Sequence, residues 1–548
     1  MSPYAPERFT ADEEEILRRY VSNLDGPVFA LVNLPEVVKG ALFARYSRSP
    51  KSLRRLFLDE FVGELDTSGD ASVDATVGVE RAEALYDRVF LEYGDDSVAQ
   101  LGGVHLACEQ ASNLLTKVLE WGRLMSYLEQ STRYIAYDAR LGGRYRYFRD
   151  PALTASSFGA RFVGDMDRLF DAYAELVPKV AEHLREVTPK DPEDSDFIYR
   201  QAIRAKSFDA VRGVLPAASL SNVGIYASGQ AYEQMLLRLR ASRLPEAVDY
   251  ADLMLTELRK VIPSFLKRVD LADRGVLASA YLADTKAATQ AVARTLLDDD
   301  DEPAEGWSVQ LVDFDPDGEV KAIAAMLYPH SHLSDAQLLE RVHKMGNDER
   351  LSIAKAYVGD RTNRRHRPGR ALERTDYRFD IVSDYGAFRD LQRHRLLTIE
   401  WQDLSPRHGY HRPDLVDEAG GGALYDHAMA VSARLHDDLL PAFPNQAPYA
   451  VALAYRIRYV MQMNAREAMH LTELRSAPQG HPTYRVVAQQ MHRQIAEVAG
   501  HRVLAQAMSF VDHSADLALE RLESERRAEQ RRLSVADHGV EGAERIAR

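Results

Sequence analysis

The sequence predicts an α/β protein of more than one domain, in which strands and long helices alternate. Its 548 residues exceed the usual size of a single domain. Residues 307–314 alternate apolar and polar side chains as a strand does, a turn signal follows at residues 315–318, and a helical pattern begins at Lys321. Residues 162–187 repeat apolar side chains with the spacing of a long amphipathic helix. Together these patterns indicate the mixed class.

Several further elements are predicted from local patterns. Thr10 or Asp12 is expected to cap an N-terminal helix whose first turn is acidic. Residues 145–148 are predicted as a strand. Helices are predicted at residues 53–62, 79–91, 111–119 and about 228–242. Residues 298–302 form an acidic run that repels itself and is predicted to be a linker.

The charge of the chain disfavours two classes of partner. The 69 lysines and arginines and 83 acidic residues give a net charge of −14. A chain this acidic is a poor scaffold for nucleic acid or for an anionic membrane. Small phosphorylated ligands stay possible, because they respond to local arginines. No run of about 18 apolar residues exists, so no membrane-spanning segment is predicted.

The cysteine content and the N-terminus indicate a reducing compartment. Cys108 is the only cysteine, so an internal disulfide is impossible and a cytoplasmic protein is expected. It lies in an apolar run and is interpreted as a core residue, not a nucleophile. Residues 1–15 are acidic and lack an apolar core, so they are not interpreted as a signal peptide.

Two stretches combine arginines with hydroxyl groups, each after an apolar run. The first is Arg123-Leu-Met-Ser126-Tyr-Leu-Glu129-Gln-Ser131-Thr-Arg133-Tyr134 and the second is Arg393-His394-Arg395-Leu-Leu-Thr398. If residues 129–133 are extended, Glu129, Ser131 and Arg133 project from one face. A guanidinium fork, a hydroxyl and a carboxylate then form a compact site for an anion such as a phosphate. The alternative is that Arg133 is a surface residue and Ser131 a cap.

Residues 123–134 read R-x-x-S-x-x-E-x-S-x-R-Y, which resembles the signature R-H-R-x-x-S-x-N-E-x-S-x-R-Y of the flavin-dependent thymidylate synthase family. Trp121 and Gly122 replace the first arginine and the histidine of that signature, and Leu128 replaces its asparagine. The second stretch keeps the R-H-R whole, with Thr398 in place of the serine. Each half of the chain therefore keeps a different part of one signature.

Other segments resemble the same family in order along the chain. Residues 93–97 resemble Y-G-H-x-S with Asp95 for the histidine, and Gln100 stands where the family has a glutamate. Arg212 lies in a segment like A-R-x-x-L-P. Residues 368–374 occupy the place of H-x-S/T-x-x-E-H and keep only the glutamate, Glu373. Residues 463–475 resemble the helix N-A-R-S-x-x-x-F/N-x-x-L-R, whereas Pro448 replaces the arginine expected before it.

The order of these motifs implies an internal duplication of one domain. The resemblance implies an α+β-type fold in each copy, with a mostly antiparallel twisted sheet against long helices. The spacings 395 − 123 = 272 and 475 − 240 = 235 differ, so the copies have diverged by insertions and deletions. The expected domains are a helical lead (1–28), a first thymidylate synthase-like domain (29–290), an acidic linker (291–306), a second such domain (307–515) and a charged tail (516–548).

The resemblance also implies roles for individual residues. The nucleotide-binding set, better kept in the first half, is Arg123, Ser126, Glu129, Ser131, Arg133, Arg212 and Arg240. The set that binds FAD, better kept in the second half, is Glu373, Arg393, His394, Arg395, Asn464, Arg466, His470 and Arg475. Catalytic roles are expected for Arg240 and Arg393. No metal is expected, because His330, His332, His408 and His411 lack completing ligands and are interpreted as surface histidines.

The activity that the resemblance implies is reductive methylation of dUMP to dTMP, with methylene-tetrahydrofolate as carbon donor and FAD reduced by NADPH. Family enzymes are homotetramers with sites between subunits, so a homodimer of this duplicated chain is expected to act as a pseudo-tetramer with composite sites. Two alternatives stay open: a related flavoenzyme that methylates another uridine nucleotide, and a non-catalytic nucleotide- or flavin-binding relative.

Overall fold

The computed structural model describes residues 8–24, 29–46, 51–60, 62, 100–133, 135–192, 194–297, 306–515, 522 and 526. The chain forms two compact units, neither of which is a continuous half of the sequence. The first unit comprises Met1–Ala111, Gly122–Gln130 and Asn222–Asp299, and the second comprises Ser112–Trp121, Ser131–Ser221 and Asp300–Arg548. Within the described residues, no helix is both long and apolar enough to cross a membrane.

Seven strands and nineteen α-helices are found in the described part of the chain. The strands are β1 (Gly103–Ser112), β2 (Met125–Glu129), β3 (Leu220–Ser228), β4 (Ser308–Phe314), β5 (Asp376–Asp384), β6 (Leu397–Trp401) and β7 (Arg456–Asn464). The helices before β4 are α1 (Ala11–Tyr20), α2 (Glu36–Tyr46), α3 (Leu53–Glu60), α4 (Asn113–Leu119), α5 (Pro151–Ala155), α6 (Gly159–Val187), α7 (Asp196–Val211), α8 (Gly229–Arg240), α9 (Pro245–Leu258) and α10 (Gly275–Leu296). The later helices are α11 (Gly318–Leu327), α12 (Asp335–His343), α13 (Asn347–Val358), α14 (Tyr385–Leu391), α15 (Asp414–Glu418), α16 (Gly422–Leu439), α17 (Ala465–Arg475), α18 (Pro482–Glu497) and α19 (Arg502–Ala507).

Each unit contains its own sheet. In the first, the strand order is β1-β3-β2, and β2 pairs antiparallel with β3 from Met125 opposite Ala227 to Glu129 opposite Val223. In the second, the order is β4-β5-β7-β6 and every pairing is antiparallel. Helix α18 packs on β4 and β5, and α6 packs on α7 and α16. Apart from the half-buried Val460, the apolar side chains of β5 and β7 are buried, which makes the larger sheet the core of the second unit.

The two sheets repeat one local structure. Each has a strand that ends in a capping residue (Ser112 or Asp384), then a seven-residue helix, then a five-residue strand. The helix starts and the second strand starts are separated by the same offset in the numbering, because 385 − 113 and 397 − 125 both equal 272. A nine-residue strand and a helix follow in both copies. This repeat confirms the predicted internal duplication and the mixed fold with antiparallel sheets.

Most local predictions on described residues are confirmed. Thr10 caps α1 in a capping box with Glu13. The predicted strand at 307–314, the turn after it, the long helix at 162–187 and the helix at 228–242 correspond to β4, the turn at 315–318, α6 and α8. The helix predicted at 53–62 is α3, and the one predicted at 111–119 begins at Asn113, since Ser112 is its cap.

Two local predictions are wrong. Residues 145–148 do not form a strand, because Tyr145 and Tyr147 pack their rings on Phe170 of α6 at 5.0 and 5.5 Å, and only an isolated bridge joins Tyr147 to Ser219. Residues 129–133 are not extended throughout, because β2 ends at Glu129 and the Ser131 hydroxyl accepts a hydrogen bond from the Arg133 N–H at 3.2 Å. Ser131 is therefore a local cap, which is the alternative stated for it.

Other expectations meet the limits of the described chain. The helix predicted at 79–91, the segment 93–97, Tyr134, the acidic run 298–302 and most of the tail lie outside the described residues. Helix α10 continues to Leu296, inside the range expected for the linker. The expected domain bounds describe the repeats and stay a prediction, whereas the compact units combine segments from both halves of the sequence.

Candidate active site

A buried carboxylate at the end of α14 pairs with two arginines and is influenced by the charges of two more. Asp390 forms ion pairs with Arg393 and, at 3.6 Å, with Arg212. Burial raises the pKa of Asp390, but the charges of Arg393, Arg212, Arg475 and Arg133 outweigh it and hold the pKa well below its usual range. Arg133 and Arg212 come from the first half of the sequence and Arg393 and Arg475 from the second. All belong to the second compact unit.

Arg133 is fixed in this cluster by a second carboxylate. Its Nε and Nη2 donate to the two carboxylate oxygens of Asp209 at 2.7 and 2.6 Å, a bidentate pair whose side chains are 12 and 9% exposed. Its Nη1 donates to the Tyr484 hydroxyl at 3.1 Å. Burial lowers the pKa of Arg133, but Asp209 outweighs it, so the pKa is raised and the guanidinium stays charged. Arg133 is thus an oriented, nearly buried cation and not a surface residue.

Arg212 is the most deeply buried member of the cluster. It follows α7 as the C-terminal cap and is 4% exposed. Its Nη1 pairs with Asp390, whereas its buried Nη2 has no hydrogen-bond partner in the described part of the chain. A buried donor left without a partner costs about 1–3 kcal/mol. That atom is therefore a donor available for an anionic ligand.

A three-residue relay positions Arg475, the last residue of α17. Arg475 Nε donates to His394 Nε2 at 3.0 Å, and His394 Nδ1 lies 2.8 Å from a carboxylate oxygen of Glu467. Because Nε2 accepts, the neutral ring must carry its proton on Nδ1 and donate it to Glu467. Glu467 is held in turn by Asn464, whose side chain caps α17 and accepts the Glu467 N–H at 3.0 Å. The sequence of α17 therefore builds both ends of the relay.

Burial shifts the pKa values of Glu467 and His394, two members of this relay, away from their ordinary values. Burial raises the pKa of Glu467 to about 7, although the charges of Arg367, Arg466, Arg395 and Arg475 act in the opposite direction. Burial, together with the charge of Arg475, holds the pKa of His394 well below its usual range. His394 is consequently neutral at physiological pH, and Glu467 titrates near it.

The Asp390 cluster comprises Asp390 and the arginines Arg133, Arg212, Arg393 and Arg475. Tyr484 of α18 connects the relay to this cluster. Its hydroxyl accepts from Arg133, and the Arg475 guanidinium lies 5.5 Å from the centre of its ring. The second unit therefore contains one continuous polar network that joins predicted nucleotide-binding residues from the first half to predicted flavin-binding residues from the second.

His394, Glu467 and His470 also place three metal-ligand atoms within 4.8 Å of one another. Both ring nitrogens of His394 are already bonded to protein, and arginine charges surround the group. A dication gains little where its ligands are committed and its neighbours are cations. The donor set fits an anion better.

The remaining residues of the predicted flavin set are largely bonded to protein. Arg466 donates to the Pro368 carbonyl at 3.0 Å and to Glu373 at 3.1 Å. Glu373 also accepts from Arg370 at 3.0 Å, and these two arginines hold its pKa below the usual range, Arg370 more strongly. Arg393 and Arg395 are exposed, so their guanidinium groups fit an anionic cofactor.

Of the other predicted nucleotide residues, Ser131 belongs to the second unit, whereas Arg123, Ser126, Glu129 and Arg240 belong to the first. Ser126 is exposed on β2 and Glu129, three residues later, is buried, so they project from opposite faces of the strand. Arg123 is exposed. Arg240 donates to Asp252 at 2.7 Å and to the Val269 carbonyl at 3.4 Å, both in the same unit. The structure thus gives Arg240 a structural contact.

In the first unit, the position that matches His394 has no room for a larger side chain. Gly122 is that residue, since 394 − 272 = 122. A Cβ added there would lie 2.7 Å from the Tyr127 hydroxyl, 2.8 Å from the Met125 sulfur and 3.3 Å from Arg238. Neighbouring side chains therefore occupy the space that a histidine would need.

Two minor expectations are resolved by burial. Cys108 is 4% exposed and burial raises the pKa of its thiol to about 12, as expected for a core residue. His330, His332 and His411 are exposed, but His408 is only 7% exposed, so the expectation of a surface histidine is wrong there. His408 ends a short 3₁₀ turn, and its carbonyl oxygen accepts a hydrogen bond from Arg456 at 3.0 Å.

Sequence reasoning missed the acidic and aromatic partners of the predicted arginines. Asp209 precedes Arg212 by three residues and Asp390 precedes Arg393 by three, a helical spacing that indicates acid–arginine pairs. Only the second of these pairs forms along the helix, because Asp209 pairs with Arg133 instead. No sequence signal indicates Tyr484.

A comparison with known protein families finds a match in both halves of the chain. A family model described as thymidylate synthase complementing protein matches residues 43–264 and again residues 310–500. A UPF0159 protein of Chlamydia muridarum (strain MoPn / Nigg) is 40% identical over 525 residues, which are 95% of this chain and 99% of that protein. A UPF0159 protein of Chlamydia pneumoniae is 40% identical over 527 residues, 95 and 98% of the two chains.

A more distant relative and one solved structure are also similar to this chain. A UPF0159 protein of Thermoplasma acidophilum is 31% identical over 514 residues, 89% of this chain and 97% of that protein. The crystal structure of a UMP/dUMP methylase PolB from Streptomyces cacaoi bound with 5-Br dUMP is 17% identical, with a TM-score of 0.29, and covers 38% of this chain and 96% of its own. A TM-score this low supports no argument about this chain.

Proposed function

Because the chain belongs to the thymidylate synthase complementing protein family, we propose that it is a flavin-dependent methylase that converts dUMP to dTMP. The observation that carries this proposal is the Asp390 cluster, in which Arg212 of one repeat and Arg393 of the other pair with Asp390. Tyr484 contacts both Arg133 of the first repeat and Arg475 of the second. The composite site is thus built inside one chain.

The charge of the cluster suits a nucleoside monophosphate. Four arginines face two carboxylates, Asp390 and Asp209, which leaves an excess of two positive charges. A phosphate monoester carries about −1.5 to −2 charges at pH 7 and three acceptor oxygens. The free Nη2 donor of Arg212 gives that phosphate a first contact without breaking an existing hydrogen bond.

The arginines have separable roles in this proposal. Arg212 and Arg133 bind the phosphate, because they are the buried and rigid pair. Arg475, oriented by His394 and Glu467, stabilises negative charge that develops on the uracil ring as it is activated. Arg393 lies at the exposed side of Asp390, where a cofactor has access.

FAD would be held by the exposed cations Arg393 and Arg395, with Arg466 kept in place by Glu373. When bound, the flavin supplies the redox chemistry, with NADPH as reductant and methylene-tetrahydrofolate as carbon source. The protein residues orient the nucleotide, exclude water from Asp390 and keep His394 neutral.

One observation favours a second candidate, a nucleotide-binding relative without flavin chemistry. His394, Asn464, Arg466 and Glu373 each form at least one side-chain hydrogen bond with protein. A flavin contact through these bonded atoms would require them to exchange partners. Flavin binding is therefore the property to measure first.

The test is the visible spectrum of purified full-length protein with FAD, before and after dUMP. The proposal expects a bound oxidised flavin whose spectrum shifts on adding dUMP, and turnover when methylene-tetrahydrofolate and NADPH are supplied. The variant Arg212→Ala should weaken the dUMP response by about 100-fold, because it loses a charged contact of roughly 3 kcal/mol. Arg434→Ala, which changes an exposed arginine of α16, is the matched control.

Each outcome has a defined meaning. A response to UMP but not to dUMP would replace the acceptor and keep the methylase. Flavin absence together with retained dUMP binding would select the nucleotide-binding candidate. An Arg212→Ala protein that responds to dUMP as the parent does would remove the Asp390 cluster from the proposal. A solution mass of about twice 61.7 kDa would support the proposed homodimer.

A further inference from the structure

Tyr484, in the first turn of α18, has a hydroxyl proton that no described residue accepts. Its oxygen accepts a hydrogen bond from Arg133 Nη1 at 3.1 Å, and the Arg475 guanidinium lies 5.5 Å from the centre of its ring. Guanidinium groups donate hydrogen bonds and cannot accept them, so neither arginine can take the tyrosine proton. The O–H of this 5% exposed side chain is therefore a donor without an acceptor among the described residues.

Arg133 has only one N–H left for a ligand, out of the five that a guanidinium carries. Its Nε and Nη2 donate to the two carboxylate oxygens of Asp209, and Nη2 donates also to the Gln479 carbonyl oxygen at 3.3 Å. One N–H of Nη1 donates to Tyr484, which leaves the second N–H of the same nitrogen. Arg133 therefore cannot bind an anion through two N–H groups unless it gives up a protein partner.

This last N–H and the tyrosine O–H lie side by side. Their donor atoms, Arg133 Nη1 and the Tyr484 oxygen, are only 3.1 Å apart because they are hydrogen-bonded to each other. An anion that reaches Arg133 without displacing a protein partner must approach Nη1, and so comes within reach of the hydroxyl. Two donors this close can bind one oxygen, or two oxygens of one phosphate. The Arg133 side chain is 12% exposed, so it is not sealed in the core.

The start of α18 holds the tyrosine in this place. His481 caps the helix, and its Nδ1 accepts the Thr483 N–H at 3.4 Å. Nε2 must then carry the proton of the neutral ring, and it donates to the Asp209 carbonyl oxygen at 3.1 Å. Burial, and then the charge of Arg212, hold the pKa of His481 well below its usual range, which keeps the ring neutral. Asp209 therefore fixes Arg133 through its carboxylate and the first turn of α18 through its carbonyl.

We infer that Tyr484 is a phosphate-binding residue, whose hydroxyl and the last N–H of Arg133 Nη1 donate together to the phosphate of the nucleotide. This inference deepens the proposed function and rests on it. Arg133 contacts the phosphate through one N–H, and Tyr484 supplies the second donor, because the edge of the guanidinium that could give two is bonded to Asp209. The ligand class is a phosphate monoester, which presents three acceptor oxygens.

The test compares the parent with Tyr484→Phe, which removes one hydroxyl and keeps the ring. Calorimetric titration of the full-length protein with dUMP should show an affinity lower by about 10-fold or more, because a hydrogen bond to a charged oxygen is lost. Titration with deoxyuridine, which has the base and the sugar but no phosphate, should give the same affinity for both proteins. A loss that depends on the phosphate is a readout that a structural role would not produce.

Two other tyrosines of the second unit are matched controls. Tyr328→Phe changes an exposed hydroxyl, and Tyr137→Phe removes a buried hydroxyl that donates to the Leu220 carbonyl oxygen at 2.7 Å. Both should leave the dUMP affinity unchanged, and Tyr137→Phe should lower the Tm because a buried carbonyl loses its partner. An unchanged Tm of Tyr484→Phe shows that its fold persists.

Two results would overturn the inference. One is a Tyr484→Phe protein that binds dUMP as tightly as the parent or more tightly, which is expected if the hydroxyl only accepts, since its removal frees a second N–H of Arg133. The other is an equal loss for dUMP and deoxyuridine. If Tyr484→Phe does not fold, Tyr484→3-fluorotyrosine decides, because its more acidic hydroxyl donates more strongly and accepts more weakly. The dUMP affinity should then rise, and a fall would contradict the inference.

Inorganic phosphate separates this inference from the proposed function. If the parent does not bind dUMP, the proposed function fails, and titration with inorganic phosphate then decides the role of Tyr484. Phosphate binding that Tyr484→Phe weakens would keep the phosphate site for another phosphorylated ligand. Phosphate binding that is equal in both proteins, or absent from both, would overturn the site as well.

Discussion

The two repeats end a strand and begin a helix in the same way, yet the helices finish in different surroundings. In each, a five-residue strand pairs so that its first residue lies opposite the residue before the cap: Met125 opposite Ala227, and Leu397 opposite Met463. Ser228 and Asn464 then cap α8 and α17. One helix ends in Arg240, bound to an exposed Asp252, and the other in Arg475, bound to the buried His394.

A difference of a single position explains this divergence. The offset from the cap to the last arginine is 475 − 464 = 11 in the second repeat and 240 − 228 = 12 in the first. One step along a helix rotates a side chain by about 100° around the axis. The position that matches Arg475 is therefore Leu239, which is 1% exposed and belongs to the core. The first repeat therefore has the same strands and helices, but an apolar side chain stands where the second repeat has Arg475. Arg133 and Arg212 of the first repeat belong to the second unit.

The largest effect is expected when the Asp390 carboxylate, which only the second unit's arginine cluster contains, is removed. Asp390→Asn should destabilise the fold by about 3–5 kcal/mol, because it leaves buried arginines without their counter-charge. Urea unfolding measures the loss. Asp273→Asn, an exposed acid of the first unit, is the control and should be near neutral. A loss below about 1 kcal/mol would mean that the cluster is neutralised by other groups.

The second prediction concerns the relay that only the second repeat has. In the folded protein Glu467 keeps its proton up to a pKa of about 7, whereas the unfolded chain releases it near the ordinary value of 4.5. The folded state therefore binds more protons between these values, and Glu467 makes the parent less stable as the pH rises through this window. Glu467→Gln should gain about 3 kcal/mol relative to the parent between pH 4.5 and 7.

Unfolding curves at several pH values measure that gain, with Glu497→Gln as an exposed control that should show no such trend. A stability difference between Glu467→Gln and the parent that is flat with pH would show that the carboxyl titrates normally.

The third prediction tests whether the first repeat is closed. Gly122→His should not restore a histidine site and should cost about 1–3 kcal/mol, because Tyr127 and Met125 occupy the space. Gly164→Ala in α6, where no atom of the described residues lies within 4 Å of an added Cβ, should instead stabilise by about 0.5–1 kcal/mol. Thermal unfolding compares the two. A tolerated Gly122→His would show that the pocket can reopen.

The smallest effect is expected at the end of α8. Asp252 is 65% exposed, so Asp252→Asn should cost less than about 1 kcal/mol and leave dUMP binding unchanged. Chemical denaturation and the flavin difference spectrum measure both. A large loss of dUMP response would return Arg240 to the nucleotide site.

Local patterns predicted the elements well, because strands, caps and turns depend on near neighbours. The strand–turn–helix at β4 and α11 and the capping box at Thr10 follow from periodicity and side-chain chemistry. The strand predicted at 145–148 failed because its tyrosines are used in packing on α6, which alternation does not reveal. Motif order indicated the duplication, and the helices and strands that recur at a constant offset in the numbering confirmed it.

The partners of the arginines were beyond sequence reasoning, because they are far apart along the chain. Asp209 is 76 residues from Arg133, and His394 is 81 residues from Arg475. Nothing in a single sequence states which acid neutralises which cation. The replacement of the family serine by Glu467 was visible, but its bond to His394 required coordinates.

Because the second unit combines distant segments of the chain, its contacts can form only in the order in which those segments are synthesised. Arg133 must wait for Asp209, 76 residues later, and for Tyr484, 351 residues later. At about 5–20 residues per second, the carboxylate arrives after roughly 4–15 s and the tyrosine after roughly 20–70 s. Until α18 is synthesised, Arg133 lacks the contact with Tyr484 that it has in the folded protein. The second unit therefore cannot be completed until most of the chain has been synthesised.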